Sequence, residues 1–419
     1  MLLVAIFTFL YPVSGVLIIP LLILMNYHQK CAQDFKWLFL AIVFIIASLG
    51  YSMGEWGDLE RYHQQLMVME TVDFSTIIQF DFEYLYVADA LLYFVSQTEN
   101  MQILNYLIGF IVYGLAFYVL FDLLKRSSID FSIGTIIKMI VIIIGIVPFF
   151  NIIANVRCIT AYIIILFAAY RDLIQDKKNI LTYLLYVIPI GLHVSAIIVL
   201  LLRFIQIIAK KLGRGIIVIA VFIPLLIDFL YQYSGMLEGN LIGSLLSNAI
   251  GKAYTYLYWT DGGFATEIQD NLTNKLTRIY GVFFIGTIVF SLLIAKSKSI
   301  QVLHHDIFEE PMIAYLYVLS ACTLGCLYIV TGAFWRFEAA IVLFSPVVLI
   351  PLLELKDRGV NICLNLLFLS GIFMLFMNFI YMYRNMDVAS MAKTFALTTG
   401  IEIIYYILNG ILGCVKSFV

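Results

Sequence analysis

The stretch that decides the fold is QILNYLIGFIVYGLAFYVLFDLL, residues 102–124, in which Asp122 is the only charged side chain and which Lys125 and Arg126 follow at once. Its length matches the ~20 apolar residues that a helix needs to cross a hydrocarbon core of roughly 30 Å. The strict alternation of apolar and polar residues that a membrane barrel requires is absent. The stretch therefore predicts a transmembrane helix that ends at a basic connection.

Similar runs recur along the whole chain. Of its 419 residues, 63% are hydrophobic and 12% are charged, whereas a soluble domain is ~25% charged. We predict an all-α, polytopic helical membrane protein, organised as one transmembrane domain over residues 1–419. It should have about eleven full spans plus re-entrant or interfacial half-helices. The predicted spans are 2–25, 37–53, 102–124, 133–149, 157–173, 215–233, 278–295, 312–330, 337–354, 360–381 and 396–415.

Basic residues concentrate in a subset of the connections, and the positive-inside rule assigns these to the cytoplasm. The N-terminus is then outside, the C-terminus is cytoplasmic, and two long outer loops cover about 54–84 and 234–277. Segment 84–98 should lie in the interface or dip in and out. Segment 180–202 has basic residues on both sides, which favours a re-entrant pair of half-helices over a kinked span.

Several classes of site are excluded or left without support by the sequence. The six cysteines are scattered and show neither metal spacing nor a disulfide framework. No dinucleotide or Walker fingerprint is present, and a formal net charge of −2 indicates no nucleic-acid partner. No acidic pair in a cytoplasmic loop resembles a metal-held sugar-nucleotide site, so any donor should be carried by a lipid, and we expect no cofactor and no metal.

Two arginines are the strongest candidates for chemistry. Asn155 is well placed to cap the helix that begins after it, which puts Arg157 in the first turn, where the helix dipole disfavours a cation. Arg336 lies in what we interpret as a short outer turn between two spans. Both can bind phosphate through a planar guanidinium. The alternatives are an Arg157 that reaches lipid phosphate and an Arg336 that contacts Glu338 or Trp335.

The remaining candidates lie mainly in the two outer loops. Asp58 and Glu83 can act as a general base for a hydroxyl group, and His193, near the predicted re-entrant apex, is either structural or catalytic. The second loop has an aromatic cluster that either anchors the interface or stacks on sugars. The predicted substrate-binding residues are Arg61, Tyr62, Asn155, Lys252, Tyr254 and Trp259.

The order and spacing of four motifs resemble the EpsG-like branch of Wzy-type polysaccharide polymerases. The motifs are Asp58 with Arg61-Tyr62, Asn155-Val-Arg157, His193-Val-Ser195-Ala196, and Arg336-Phe337 ahead of Pro346 and Pro351. Two positions depart from the family: Cys158 stands where Gln is common, and Tyr84 stands where Pro often follows the Glu matched to Glu83.

The resemblance implies a glycosyltransferase of the bacterial inner (plasma) membrane. Such a polymerase transfers a growing glycan from undecaprenyl pyrophosphate to the non-reducing end of a lipid-linked repeat unit at the outer face. Its partners would be that lipid-linked oligosaccharide, the bilayer and a chain-length regulator. Arg157, Arg336, Asp58, Glu83 and His193 would be catalytic. The alternatives are a lipid-oligosaccharide flippase, a polysaccharide O-acyltransferase and a ligase for the finished glycan.

Overall fold

A computed structural model describes most of the chain. The described residues are 2–25, 35–54, 58–80, 85–127, 131–147, 149–212, 227–237, 281–289, 310–329 and 331–417, with residue 279 and short pieces between 243 and 254. Within these ranges every regular element is a helix, as the composition predicts.

Some helices match the predicted spans, whereas others are shorter pieces of them. The helices are α1 Leu2–Leu10, α2 Pro12–Met25, α3 Phe35–Tyr51, α4 Asp58–Met69, α5 Phe74–Phe80, α6 Tyr86–Ser96, α7 Gln102–Arg126, α8 Ile133–Gly145, α9 Phe149–Ala154, α10 Cys158–Leu173, α11 Ile180–Val187, α12 Ala196–Leu212, α13 Ile227–Ser234, α14 Pro311–Ile329, α15 Thr331–Phe344, α16 Pro346–Glu354, α17 Arg358–Asn385, α18 Val388–Leu397 and α19 Gly400–Ser417.

Two of the described helices, α7 and α17, are long and apolar enough to cross a membrane, and up to four spans result if each of two bent pairs counts as one. The predicted count of about eleven is not confirmed. One bent pair is formed by α15 and α16, whose axes differ by 46°, because Pro346 cannot continue the hydrogen bonding of the preceding helix. Helix α17 exposes Leu369, Phe376 and Phe379, each at about 60%, as a lipid-facing surface would.

The predicted last span, 396–415, is not one straight helix. Helices α18 and α19 meet at an 87° bend. The C-terminal turn of α19, at Gly413 and Lys416, lines the same cavity as Glu70 and Asp73. The end of α19 therefore lies close to the turn that follows α4, while the side of the membrane on which the C-terminus and the 54–84 segment lie remains a prediction.

The segment predicted as an outer loop, 54–84, contains helices α4 and α5, and its position outside the membrane remains a prediction. Helix α4 buries Leu59, Tyr62, His63 and Leu66. These residues repeat at positions i, i+3, i+4 and i+7, which is the pattern of an amphipathic helix. The sequence did not predict this helix, because the many acidic residues of the segment indicate a solvated loop.

The described helices form two compact units, one of Met1–Thr160 with Phe373–Val419 and the other of Ala161–Ile372. In the first unit, α3 lies against α7 at close backbone distance. A Cβ atom added to Gly109 would lie 3.1 Å from the Cα of Ala47 and 3.1 Å from the side chain of Ile153. One added to Gly50 would lie 3.0 Å from the carbonyl oxygen of Asn105. Small residues allow such contact between membrane helices.

Polar contacts join three segments of this unit. The Asn105 amide donates to the Met53 carbonyl at 3.3 Å. Asn100 donates to the Tyr51 hydroxyl at 2.8 Å, and that hydroxyl donates to Glu402 at 3.0 Å. These bonds link the end of α3 to the start of α7 and to the first turn of α19.

In the second unit, residues 179–203 form a hairpin against α10. The Arg171 Nε donates to Thr182 at 3.2 Å near the start of the hairpin, and Arg203 pairs with Asp172 at 2.9 Å near its end. Ser195, near the apex, contacts Tyr162, which precedes Asp172 by ten residues or roughly 15 Å of helix. The chain thus enters and returns at the level of Arg171–Asp172, and the apex lies about half a hydrocarbon core away.

The two arms of the hairpin are unequal, which the sequence analysis does not predict. Helix α11 has 8 residues, whereas α12 has 17 and continues through Lys210 and Lys211. Lysine and the preceding aliphatic residues favour helix, so the second arm is longer than the half-helix expected.

Replacing Gly109 with alanine should destabilise the first unit. The added methyl would meet the Ala47 backbone, and overpacking of this kind costs about 1–3 kcal/mol. Gly114→Ala is a matched control on the same helix, because its Cβ would have only ordinary contact with Val43 at 3.8 Å. Thermal unfolding in detergent should show a lower transition temperature for Gly109→Ala than for Gly114→Ala. Equal transitions would show that α3 and α7 can separate without cost.

The membrane position of the hairpin remains a prediction that labelling can test. Single cysteines at Asn179 and Lys211, in a background without the native cysteines, should both react with an impermeant maleimide only from the cytoplasmic side. Reaction of the two positions from opposite sides would establish a full span instead.

Candidate anion site and associated polar clusters

The structure brings together four of the residues that the sequence predicts for a site, all in the first unit. Arg157 Nε donates to the Tyr62 hydroxyl at 2.9 Å, although the two residues are 95 positions apart. The Arg157 guanidinium carbon lies 5.5 Å from the Tyr62 ring centroid, and that of Arg61 lies 5.5 Å from it as well. Asp58 is 3.3 Å from Arg61.

Tyr62 is the centre of this arrangement and is 3% exposed. Its oxygen accepts from Arg157, and its hydroxyl hydrogen has no acceptor in the described part of the chain. A phenol that accepts from a guanidinium can still donate one hydrogen bond. The site therefore offers an O–H donor next to two positive charges, an arrangement suited to an anionic ligand.

The turn before α10 orients Arg157. The Asn155 carbonyl accepts from the Ile159 N–H at 3.3 Å, and its side chain donates back to the Asn151 carbonyl at 3.1 Å. Helix α10 begins at Cys158, so Arg157 lies in the turn just before the helix and not, as predicted, in its first turn. The bond through the Arg157 Nε sets the plane of its remaining N–H groups.

A second polar cluster lies at the apex of the hairpin. The Ser195 backbone N–H donates to His193 Nδ1 at 3.2 Å, so the hydrogen of the neutral ring is on Nε2. The Ser195 hydroxyl then donates to Nδ1 at 2.6 Å and accepts from Tyr162 at 2.8 Å. Tyr162 stacks on Phe337 with ring centroids 5.2 Å apart. The predicted His-x-Ser and Arg-Phe motifs are thus joined through Tyr162, which the sequence analysis missed.

Arg336 does not lie in an outer turn. It belongs to helix α15, is 8% exposed, and its guanidinium carbon lies 5.7 Å from the Trp335 ring centroid. The turn prediction was wrong because alanine, aromatic residues and glutamate continue the helix after Gly332. Of the two alternative contacts, the one with Trp335 is present.

Glu338 is buried at 1% exposure, and neither carboxylate oxygen has a hydrogen-bond partner among the described residues. Its carboxyl group lies against Gly281, where an added Cβ would be 2.4 Å from a carboxylate oxygen. The absence of a side chain at position 281 makes room for this group. No pattern in the sequence pairs these two positions.

Other predicted site residues are not brought into these clusters. Tyr254 stacks on Tyr231 with ring centroids 3.8 Å apart, which occupies one face predicted to be available for a sugar. Glu83, Lys252 and Trp259 lie outside the described residues. Groups of acidic, histidine or cysteine side chains able to hold a metal are absent from the described part of the chain.

The surroundings of the Glu338 carboxyl group predict the effect of two substitutions. Glu338→Met keeps the shape and removes an unsatisfied buried polar group, so stability should rise by about 1–3 kcal/mol. Gly281→Ala should lower it, because the methyl would displace the carboxyl group. Thermal unfolding of the two variants in detergent measures both effects. A lower transition temperature for Glu338→Met would mean that the carboxyl group has a stabilising partner.

Comparisons with known proteins leave the function to be argued from this geometry. No family model, curated protein or solved structure matches the chain. The likeness to EpsG-like polymerases rests on the short motifs alone.

Proposed function

We propose that the protein is a polysaccharide polymerase that transfers a growing glycan from undecaprenyl pyrophosphate to a lipid-linked repeat unit. The observation that carries the proposal is the bond between Arg157 and Tyr62. It supplies, next to Arg61, a fixed guanidinium and a phenolic donor that no described residue accepts from. These groups suit a lipid pyrophosphate, whose negative charge grows as it leaves the sugar.

In the proposed reaction, an acceptor hydroxyl attacks the anomeric carbon of the growing chain. The bond between that carbon and the pyrophosphate oxygen breaks, and the pyrophosphate departs with the bonding electrons. Arg157 and the Tyr62 hydroxyl stabilise the departing oxygens because they are already oriented before the reaction starts. The hydroxyl proton passes to a carboxylate, for which Asp58 is the candidate within the described site.

Arg61 and Asp58 also support the geometry. Their ion pair lies on the surface, where such pairs contribute little to stability. The ion pair instead orients Arg61, because it keeps a second guanidinium group near the ring of Tyr62. The predicted catalytic contributions of Arg336 and Glu83 remain predictions.

An O-acyltransferase is the second candidate, and the cluster at the hairpin apex favours it. The sequence indicates no catalytic partner for His193, whereas in the structure His193 contacts Ser195, which in turn contacts Tyr162. One observation speaks against this candidate. The backbone N–H and the hydroxyl of Ser195, two residues along the chain, both bond to His193 Nδ1. A histidine held in this way has its Nδ1 occupied, which suits a structural role.

Arg157→Lys should be present in the membrane in normal amounts and yet yield mostly single repeats. Lysine keeps the charge but lacks the planar fork and the Nε donor, and losing one preorganised donor typically lowers a rate by about 100–1000-fold. Tyr62→Phe removes only the hydroxyl and should shorten the chains less severely. Lys138→Gln is the control and should leave chain length unchanged. The measurement is a glycan ladder beside an immunoblot of the membrane fraction.

Other outcomes of the same experiment distinguish the alternatives. A wild-type ladder from Arg157→Lys would remove the polymerase proposal. In a deletion strain, single repeats confined to the inner leaflet would indicate a flippase. Long chains without acyl groups would indicate an acyltransferase.

A further inference from the structure

A cavity of about 650 Å³ lies in the first unit, at the end of α4 away from Tyr62. Its walls are the turn that follows α4, the C-terminal part of α6 and the last turns of α19. Cavities of this size bind small organic ligands. The polar side chains used below are Glu70, Asp73, Tyr93, Glu99, Asn409 and Lys416.

Tyr93 is the clearest sign that this cavity receives a ligand. Its side chain is 4% exposed and contacts Phe74, with the two ring centroids 5.1 Å apart. Its hydroxyl nevertheless makes no hydrogen bond within the described residues, although it lines the cavity. Although the Tyr93 side chain as a whole is buried, its hydroxyl oxygen is not among the buried unsatisfied atoms, so it is open to the cavity and can pair with a molecule bound there.

The charged groups of the cavity do not satisfy one another either. Within the described ranges, Lys416 forms no ion pair with Glu70, Asp73 or Glu99. Asn409 likewise uses its side-chain amide for no hydrogen bond there. The cavity therefore presents separate donors and acceptors, which is what a ligand with many hydroxyl groups requires.

Two glycines allow the helix and the turn that line the cavity to pack closely. A Cβ atom at Gly413 would lie 2.8 Å from that of Gln97, and one at Gly410 would lie 2.7 Å from Thr98. These glycines allow α19 to pack against the turn that holds Glu99, whose φ of 61° is unusual for a residue other than glycine. The arrangement is specific rather than an incidental gap.

We propose that this cavity binds the sugar portion of the lipid-linked glycan and that it accepts neutral or amino-bearing sugars. This assignment rests on the function proposed above. Three carboxylates against one lysine exclude the pyrophosphate and disfavour uronic acids, since like charges repel. Carboxylates and amides accept and donate hydrogen bonds to sugar hydroxyls, and Tyr405 adds an exposed ring at the rim.

The spacing from the anion site supports this assignment. Tyr62 and Glu70 are eight residues apart, which is roughly 12 Å along α4 and its continuation. A single lipid-linked glycan can therefore place its pyrophosphate at Arg157 and sugar residues in the cavity. One helix would then hold the two ends of the same substrate.

The test uses the purified full-length protein in nanodiscs, with maltotriose, a glucosamine trimer and tri-galacturonate as probes. Saturation-transfer NMR should detect the first two and not the third. Tyr93→Phe should weaken binding several-fold without changing the fold. Glu70→Gln with Asp73→Asn should weaken binding of the glucosamine trimer at least tenfold and allow tri-galacturonate to bind. Glu60→Gln, on the exposed face of α4, is the matched control and should behave like the wild type.

The outcomes separate this inference from the proposed function. Arg157→Lys should keep trimer binding while losing long chains. If none of the trimers binds the wild type, if tri-galacturonate binds as well as the others, or if Tyr93→Phe has no effect, the sugar assignment is overturned, whatever the ladder of Arg157→Lys shows. If trimers bind as expected but Arg157→Lys still makes long chains, the polymerase proposal fails and the sugar site stands.

Discussion

The close contact between α3 and α7 is the interaction on which the rest of the first unit depends. Gly50 and Gly109 bring the two backbones together, and the side chain of Ile153 lies 3.4 Å and 3.1 Å from where their Cβ atoms would be. Ile153 belongs to the short helix that leads directly to Arg157. The end of α3, held to Asn105 through Met53, leads in turn to α4 and Tyr62. A contact between small residues therefore determines where both partners of the anion site lie.

Buried polar groups in an apolar chain are costly unless they are paired, and most of those described here are paired. Arg203 pairs with Asp172, Tyr51 joins Asn100 to Glu402, and Ser195 joins His193 to Tyr162. Glu338 is an exception, since neither of its carboxylate oxygens has a hydrogen-bond partner among the described residues. The Tyr62 and Tyr93 hydroxyl groups each have a hydrogen without an acceptor in those residues, and both lie where the proposed substrate would bind.

Helix α4 connects these two places. Its N-terminal half carries Asp58, Arg61 and Tyr62, and the turn after it carries Glu70 and Asp73. The guanidinium groups of Arg61 and Arg157 lie around Tyr62, whereas the cavity after the other end of α4 has three carboxylates and one lysine. A substrate with an anionic pyrophosphate at one end and sugars at the other is complementary to this order, and the same separation would prevent it from binding in reverse.

The sequence by itself determined the helical class and the bounds of α3, α7, α10 and α14 within two residues. These features follow from apolar run length, prolines and capping residues, which act over a few positions along the chain. The tertiary structure alone decided that α18 and α19 bend by 87°, that α4 and α5 are helices, and that Tyr62 contacts Arg157. It also decided that Glu338 rests on Gly281 and that α19 closes a polar cavity. The physical reason is that such contacts depend on which helix faces meet, and a residue's neighbours along one helix do not specify its partner 95 positions away.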